Sequence, residues 1–353
     1  MSAPSAAAPL AGAPAPAAPL LDVRGLRVEF PTPDGPVAVV DDVSFAVAPG
    51  ECLGVVGESG SGKSITSRAV LRLVPPPGRV AGGSVVFDGT DLLALSEKRM
   101  RQVRGAQISM VFQDPTAALN PLFSIGRQLT DVIRTHTDLG RGAARARAIE
   151  VLDQVGFADA RRRLGAYPFE LSGGLRQRVS IALALACGPR LVIADEPTTN
   201  LDVSIQAQII DLLLELKEQV GFAVVFISHD LGVVASVADR VTIMYAGRAL
   251  EVGPAAAVLA DPRQPYTQRL LRSAPTLESR RADGLPSIPG SAPRLGALGA
   301  GCPFTSRCDV AVEGLCADTP LVWTDLGGGR AASCHLLGER VPAAAGGEGV
   351  AHG

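Results

Sequence analysis

Aromatic residues make up only 4% of this chain, and its 353 residues include a single tryptophan. Alanine is abundant instead, which reads as compositional bias rather than chemistry. An excess of either charge sign is also missing: the formal net charge is −2 at pH 7. A nucleic-acid footprint needs a basic surface, so no nucleic-acid partner is expected. No apolar run approaches the length of a membrane span; residues 181–186 are typical and too short. Any membrane association must then pass through a partner protein. The first twenty residues contain no Lys or Arg, so the basic start of a secretory signal is lacking. Residues 1–20 read as a disordered Ala/Pro tail. There is no internal repeat, heptad run or basic tract.

What is present suffices for a large folded body. The length allows one large domain or two to three small ones, and 47% hydrophobic residues support a core. Residues 22–56 alternate and end in the apolar Cys52-Leu53-Gly54-Val55-Val56, a buried-strand pattern. Residues 83–88 followed by Gly89 read as a strand and turn, and 115–185 look mainly helical. Residues 191–194 and 223–227 are short apolar runs. Between them Ile205, Ile209, Leu212, Leu213, Leu216 and Val220 follow a helical stripe. Strand, helix and strand at this spacing predict a βαβ unit, hence an α/β fold with a covered parallel sheet. After residue 255 the pattern changes, and 283–300 reads as a linker.

The segment Gly57-Glu58-Ser59-Gly60-Ser61-Gly62-Lys63-Ser64 fits the P-loop pattern, with an apolar strand before it and a helix expected over 65–73. In such a loop the glycines let backbone N–H groups curl around phosphates. Lys63 reaches the β/γ oxygens, and the Ser64 hydroxyl ligates Mg²⁺. Leu191-Val192-Ile193-Ala194 ends in Asp195-Glu196. Asp195 can hold Mg²⁺ through water and Glu196 can polarise an attacking water. Alone, such a strand end is common; beside a P-loop it reads as the metal and base side of an ATP site. Gln113, where a strand gives way to the helical region, can touch both Mg²⁺ and water. His229, after the strand at 224–227, can hydrogen-bond a γ-phosphate and orient the water. Ser172-Gly173-Gly174 opens an amphipathic helix carrying Leu175, Val179, Ala182, Leu183 and Ala186. Its free N–H groups and positive dipole end suit a phosphate. An ordinary N-cap explains the serine but not the double glycine.

These motifs, with Thr199-Asn200-Leu201-Asp202, occur in the order P-loop, Q-loop, signature, Walker B, D-loop and switch histidine. Together they resemble the ATP-binding cassette (ABC) ATPases over residues 21–255. The resemblance implies a P-loop NTPase core with an antiparallel β subdomain and a helical subdomain inserted at about 115–185. It also implies two subunits paired head to tail. Glu196 would be the general base, and Ser172, Gly173, Gly174 and Gln177 would act on ATP held by the partner, with Asp202 in the D-loop between them. Phe30 is the candidate aromatic against adenine. Asn200 and Leu175 depart from frequent residues of the family, and neither removes a catalytic group. Further strings, including Tyr167-Pro168-Phe169-Glu170-Leu171, Gln264-Pro265-Tyr266 and Gly301-Cys302-Pro303-Phe304, are similar to importers of dipeptides, oligopeptides and nickel.

That narrower resemblance extends to residue 335. It implies an ATPase (ATP and water to ADP and phosphate) that powers import from the cytoplasmic face of a membrane. Its expected partners are a second ABC ATPase subunit, two permeases and an extracytoplasmic binding protein. Nickel or another small solute is the alternative cargo. A soluble ABC ATPase acting on nucleic acid or ribosomes is the alternative class, disfavoured by the single cassette and the missing basic extension.

Six cysteines remain to be placed. Cys52 and Cys187 stand alone on apolar elements and read as buried filler. Cys302, Cys308, Cys316 and Cys334 are separated by 5, 7 and 17 residues, within an extension spanning 256–335; 336–353 reads as a flexible tail. Disulfides are disfavoured in the cytosol, so the four thiols suggest a metal centre, either an iron–sulfur cluster or zinc, or no metal at all. The spacings match neither a common zinc ribbon nor a ferredoxin run. The importer resemblance implies a [4Fe–4S] cluster with a structural role.

Overall fold

The computed structural model of the chain describes residues 18–199, 201–273, 288–293 and 298–337. The chain opens with two long strands, β1 (Leu21–Thr32) and β2 (Gly35–Val47), then the short β3 (Cys52–Val56) and helix α1 (Lys63–Val70). β4 (Arg79–Phe87), β5 (Thr90–Asp91), α2 (Glu97–Val103) and β6 (Ile108–Val111) follow. Five helices come next: α3 (Pro115–Ala118), α4 (Ile125–His136), α5 (Arg141–Gln154), α6 (Ala160–Arg163) and α7 (Gly173–Leu185). The chain then alternates through β7 (Leu191–Asp195), α8 (Val203–Val220), β8 (Ala223–Ser228), α9 (Leu231–Val237), β9 (Arg240–Tyr245) and β10 (Arg248–Pro254). It ends with α10 (Ala255–Ala260), α11 (Pro265–Ser273) and the hairpin β11 (Trp323–Gly327) and β12 (Arg330–Ser333).

Two sheets result. One is antiparallel with order β2-β1-β4-β5. The other runs β11-β12-β10-β9-β3-β8-β7-β6, with β9, β3, β8, β7 and β6 parallel. β3, β7 and β8 are buried at every residue because both faces of this sheet are covered. Side chains alternate between the two faces. Cys52, Val56, Val192, Ala194, Val224 and Phe226 join the core cluster beneath the helical layer. Leu53, Val55, Ile193, Val225 and Ile227 join the cluster shared with the antiparallel sheet and α1.

The register of the parallel strands positions the site. Val56 lies beside Ser228, Asp195 beside Ile227, and Val111 beside Ala194. The carboxyl ends of β3, β8, β7 and β6 therefore form one edge, where open α/β sheets place their ligands. The loops leaving it carry residues 57–62, Gln113, Glu196 and His229.

Several expectations shift in detail. Leu20, expected in the tail, is buried, and its N–H donates to Val47 O. Helix α1 stops at Val70, short of residue 73, where Arg72 takes a left-handed φ of 53°. Helix α7 is not simply amphipathic: Gln177, Ser180 and Ile181 are buried as well as Val179 and Ala182, because α7 is wedged between the other helices and the sheet. Val220, expected on the stripe of α8, is 48% exposed at the helix end. Cys52 is buried and Cys187 half-buried. The C-terminal cysteine segment does not hang free, since β12 pairs with β10 through Glu251–Ala332 and lengthens the central sheet. Asn200, residues 1–17 of the expected tail, 338–353 of the other, and 283–287 and 294–297 of the expected linker lie outside the described residues.

Candidate nucleotide site

The P-loop joins β3 to α1 through a turn that needs glycine. Gly60 and Gly62 hold φ of 77° and 97°, and Gly62 is the left-handed residue that opens α1. A Cβ on Gly57 would come within 2.0 Å of Met244 O, so the loop passes close under β9. Lys63 is buried and folded back into the loop. Its ammonium donates to Gly57 O at 2.7 Å, Glu58 O at 2.9 Å and Ser61 Oγ at 3.3 Å. Burial pushes its pKa down, while the carboxylates of Glu196, Asp195 and Glu58 act to raise it.

Ser64 follows, and its hydroxyl donates to Asp195 Oδ1 at 2.8 Å. Asp195 is buried at the end of β7. Burial lifts its pKa, and the Ser64 hydrogen bond partly reverses that. Glu196, next in the chain, turns out of the strand with a left-handed φ of 47°. Its Oε2 accepts from Thr199 Oγ1 at 2.9 Å and Gln113 Nε2 at 3.0 Å, with His229 Nδ1 3.4 Å away. Side chains from the loops after β6, β7 and β8 thus meet at one carboxylate oxygen. Thr199 stood in the sequence only as part of the D-loop string; its place three residues beyond Glu196, across a turn, was the available signal.

The signature residues lie apart from this cluster. Ser172 caps α7, its Oγ accepting from Leu175 N–H at 3.4 Å, and Ser172 and Gly173 are exposed. Gly174 sits 3.0 Å from Ile205 of α8, measured from where a Cβ would be. The buried Gln177 has an amide nitrogen without a partner among the described residues. Asp202 is exposed immediately before α8. The Phe30 ring is half-buried on β1 with its tip against Gly78, where a Cβ would meet it at 2.5 Å. Gly78 also lines a cavity of about 460 Å³ beside β4 that contains none of the motif residues.

The four cysteines of the extension lie near one another: Cys334, Cys308 and Cys316 are all close enough for their charge to act on Cys302. Two of the sulfurs accept a backbone N–H: Val312 donates to Cys316 at 3.4 Å, and Leu336 to Cys334 at 3.5 Å. Burial holds the free Cys302 thiol up to about 11 and also raises Cys308 and Cys334. Among the described residues no three His, Cys, Asp or Glu side chains reach single-ion spacing. Neither metal alternative, zinc or the iron–sulfur cluster, is therefore supported by that spacing. His335, next to Cys334, instead meets Thr319 O at 3.1 Å.

Residues 40–199 match the family model of the ABC transporter, and residues 250–316 match that of the oligopeptide/dipeptide transporter C-terminal region. A putative peptide import ATP-binding protein of Brucella melitensis is 49% identical over 313 residues, covering 86% of this chain and 93% of that one. The chain belongs to the ATP-binding proteins of ABC transporters. A probable peptide ABC transporter ATP-binding protein of Sinorhizobium fredii is 47% identical over 323 residues, covering 91% and 96%. Among solved structures, the ATP-binding cassette MJ0796, dimeric and bound to ADP and Pi, aligns with a TM-score of 0.60 at 26% identity, covering 67% of this chain and 98% of that one. The cassette cbiO1 of Clostridium perfringens gives 0.59 at 26% identity, covering 69% and 91%. As an ABC ATPase this chain hydrolyses ATP. No helix among its described residues is long and apolar enough to cross a membrane.

Proposed function

We propose that the chain powers an importer of di- or oligopeptides through ATP-driven closure of a head-to-tail pair of ATPase subunits. The observation that carries this is the convergence of Gln113, Thr199 and His229 on Glu196 Oε2, beside the buried Lys63 and the Ser64–Asp195 pair. The C-terminal match at 250–316 and the names of the two relatives support peptide as cargo. We take residues 21–255 as the ATPase domain, about 115–185 as its helical subdomain and 256–335 as the extension.

The N–H groups of residues 57–64 cradle the phosphates, and Lys63 exchanges the loop carbonyls for phosphate oxygens. Ser64, Asp195 and Gln113 present hydroxyl, carboxylate and amide oxygens, hard donors that suit Mg²⁺ with its remaining waters and phosphates. Held by these three residues, the ion would supply neutralisation of phosphate charge. Glu196 accepts the proton of the attacking water, and His229 orients that water toward the γ-phosphate. The exposed Ser172 and Gly173 at the start of α7, with Gly174 and Gln177 behind them, face a partner's ATP, and Asp202 lies at the seam. What supports Phe30 as an adenine contact is its place on β1 alone.

Two permeases are the expected docking partners of the helical region, where Leu122 and the stacked Tyr167 and Phe169 are exposed. An extracytoplasmic binding protein would deliver cargo, and the chain would work peripherally at the cytoplasmic membrane face. For the four cysteines we favour a structural [4Fe–4S] cluster. It spaces its ligands more widely than a single ion does, and the N–H donors at Cys316 and Cys334 suit thiolate ligands. Iron and sulfide analysis after anaerobic purification decides this; a colourless, iron-free protein would remove the cluster. For the ATPase site the test is Glu196→Gln, which is expected to bind ATP while turnover falls about 100- to 1,000-fold. Turnover like that of the wild type would overturn the assignment.

A further inference from the structure

The second residue of the P-loop is held from outside the motif. The backbone N–H of Glu58 donates to Tyr266 Oη on α11 at 2.9 Å. Its carboxylate takes a two-pronged pair from Arg307, with Oε2 at 2.7 Å and Oε1 at 3.1 Å. The Arg307 side chain is only 5% exposed. It also donates to Pro289 O at 2.8 Å, Ile288 O at 3.0 Å and Tyr245 Oη at 3.1 Å. The rings of Tyr245, Tyr266 and Phe304 pack beside it with centroids 4.5 to 5.3 Å apart. The guanidinium is therefore fixed by its own surroundings before it meets Glu58.

Two physical consequences follow for the loop. A carboxylate beside an anion-binding loop repels phosphate unless a cation neutralises it, and Arg307 supplies that cation at contact distance. The Glu58 carbonyl is also one of the oxygens that orient the Lys63 ammonium. A shift of Glu58 therefore displaces the phosphate-binding lysine. Arg307 itself is carried between Cys302 and Cys308, on a turn closed by Thr305 N–H to Cys302 O at 3.2 Å and Arg307 N–H to Phe304 O at 2.9 Å.

We propose that Arg307 is a positioning residue of the ATP site: it neutralises and fixes Glu58, so that ATP affinity depends on the four-cysteine segment that carries Arg307. This rests on the reading of residues 57–64 as the ATP site. The test uses the full-length protein with Mg·ATP for kinetics and a fluorescent ATP analogue for binding. Arg307→Gln is expected to weaken ATP binding and raise KM about tenfold, with kcat changed less than about twofold. Arg307→Lys keeps the charge without the fork and should fall between the two. Glu58→Gln removes the charge that needs neutralising, so adding Arg307→Gln to it should cost less than about twofold more. Wild-type affinity in Arg307→Gln, or an undiminished loss when Glu58 is already Gln, would overturn the coupling. A lowered melting temperature with unchanged affinity well below it would also do so, by showing a purely structural role. Lys63→Ala separates the two readings: it must abolish binding, and retained binding would remove the site and this coupling together.

Discussion

Gln113 and Glu196 are 83 residues apart in sequence and 3.0 Å apart in space. Cys302, Cys308 and Cys316 are separated by only 5 and 7 residues, yet they do not close to single-ion spacing. The difference lies in what sets each position. At the nucleotide edge, parallel strands end in register, and each loop leaves from a strand buried on both faces. Small errors there would displace an entire core strand, so the edge is stiff. In the C-terminal segment short turns carry three of the cysteines, and Cys334 arrives separately at the end of β12, which joins the sheet through two residue pairs with β10. Fewer buried contacts hold it, so lower local stability is expected there.

This contrast can be broken or sharpened by substitution. The largest effect expected is the turnover loss in Glu196→Gln, equivalent to about 3–4 kcal/mol of transition-state stabilisation. Next comes Gly57→Ala. Its Cβ would stand 2.0 Å from Met244 O, a backbone atom of the stiff region. We expect a cost of about 3 kcal/mol in thermal unfolding, together with loss of nucleotide binding. Gly301→Ala places the same methyl 2.3 Å from both Cys316 O and Ala317 O in the softer segment. Because that segment can yield, a smaller cost of about 1–2 kcal/mol is expected. The core transition should be retained, while protection of the amides around residues 302–316 in hydrogen exchange is lost. Equal global destabilisation by the two alanines would show that the regions are equally rigid.

The smallest effect expected concerns Glu251, the fully buried carboxylate of β10 where the regions join. Its oxygens accept from Arg263 N–H at 2.9 Å and Gln264 N–H at 3.1 Å. Burial raises its pKa above the ordinary glutamate range, against the pull of those hydrogen bonds. In the window between the unfolded and the raised folded value, the unfolded chain has lost a proton that the folded chain still holds. Stability from this group is thus greatest below the unfolded value and falls as pH rises through the window. Glu251→Gln should flatten that slope. It should also cost about 1 kcal/mol, since one of the two backbone N–H groups loses its acceptor. A slope unchanged in the variant, followed by chemical denaturation across pH, would assign the dependence to another group.

Much of the nucleotide edge was legible in the chain because its motifs sit at strand and helix boundaries. Gly62 must be left-handed, Ser172 must cap, and the apolar run 191–194 must end in acids. The Glu58–Arg307 pair was not legible. Its partners are 249 residues apart, and nothing local marks either as paired. The hairpin 323–333 was also missed, because β11 is mostly exposed, β12 is only 4 residues long, and neither shows apolar alternation.

The sequence by itself determined the local pieces available here: a glycine-rich loop of the P-loop pattern, an acid pair, a capped Ser-Gly-Gly helix and four clustered thiols. Each of these depends on residue type and short-range backbone preference, which local order specifies. Only the tertiary structure decided that Gln113, Thr199 and His229 share one oxygen of Glu196, and that the cysteine segment reaches the P-loop through Arg307. Those contacts depend on strand register and on how the extension packs against β9 and β10. Both are set by burial summed over the whole core, which no single stretch of sequence contains.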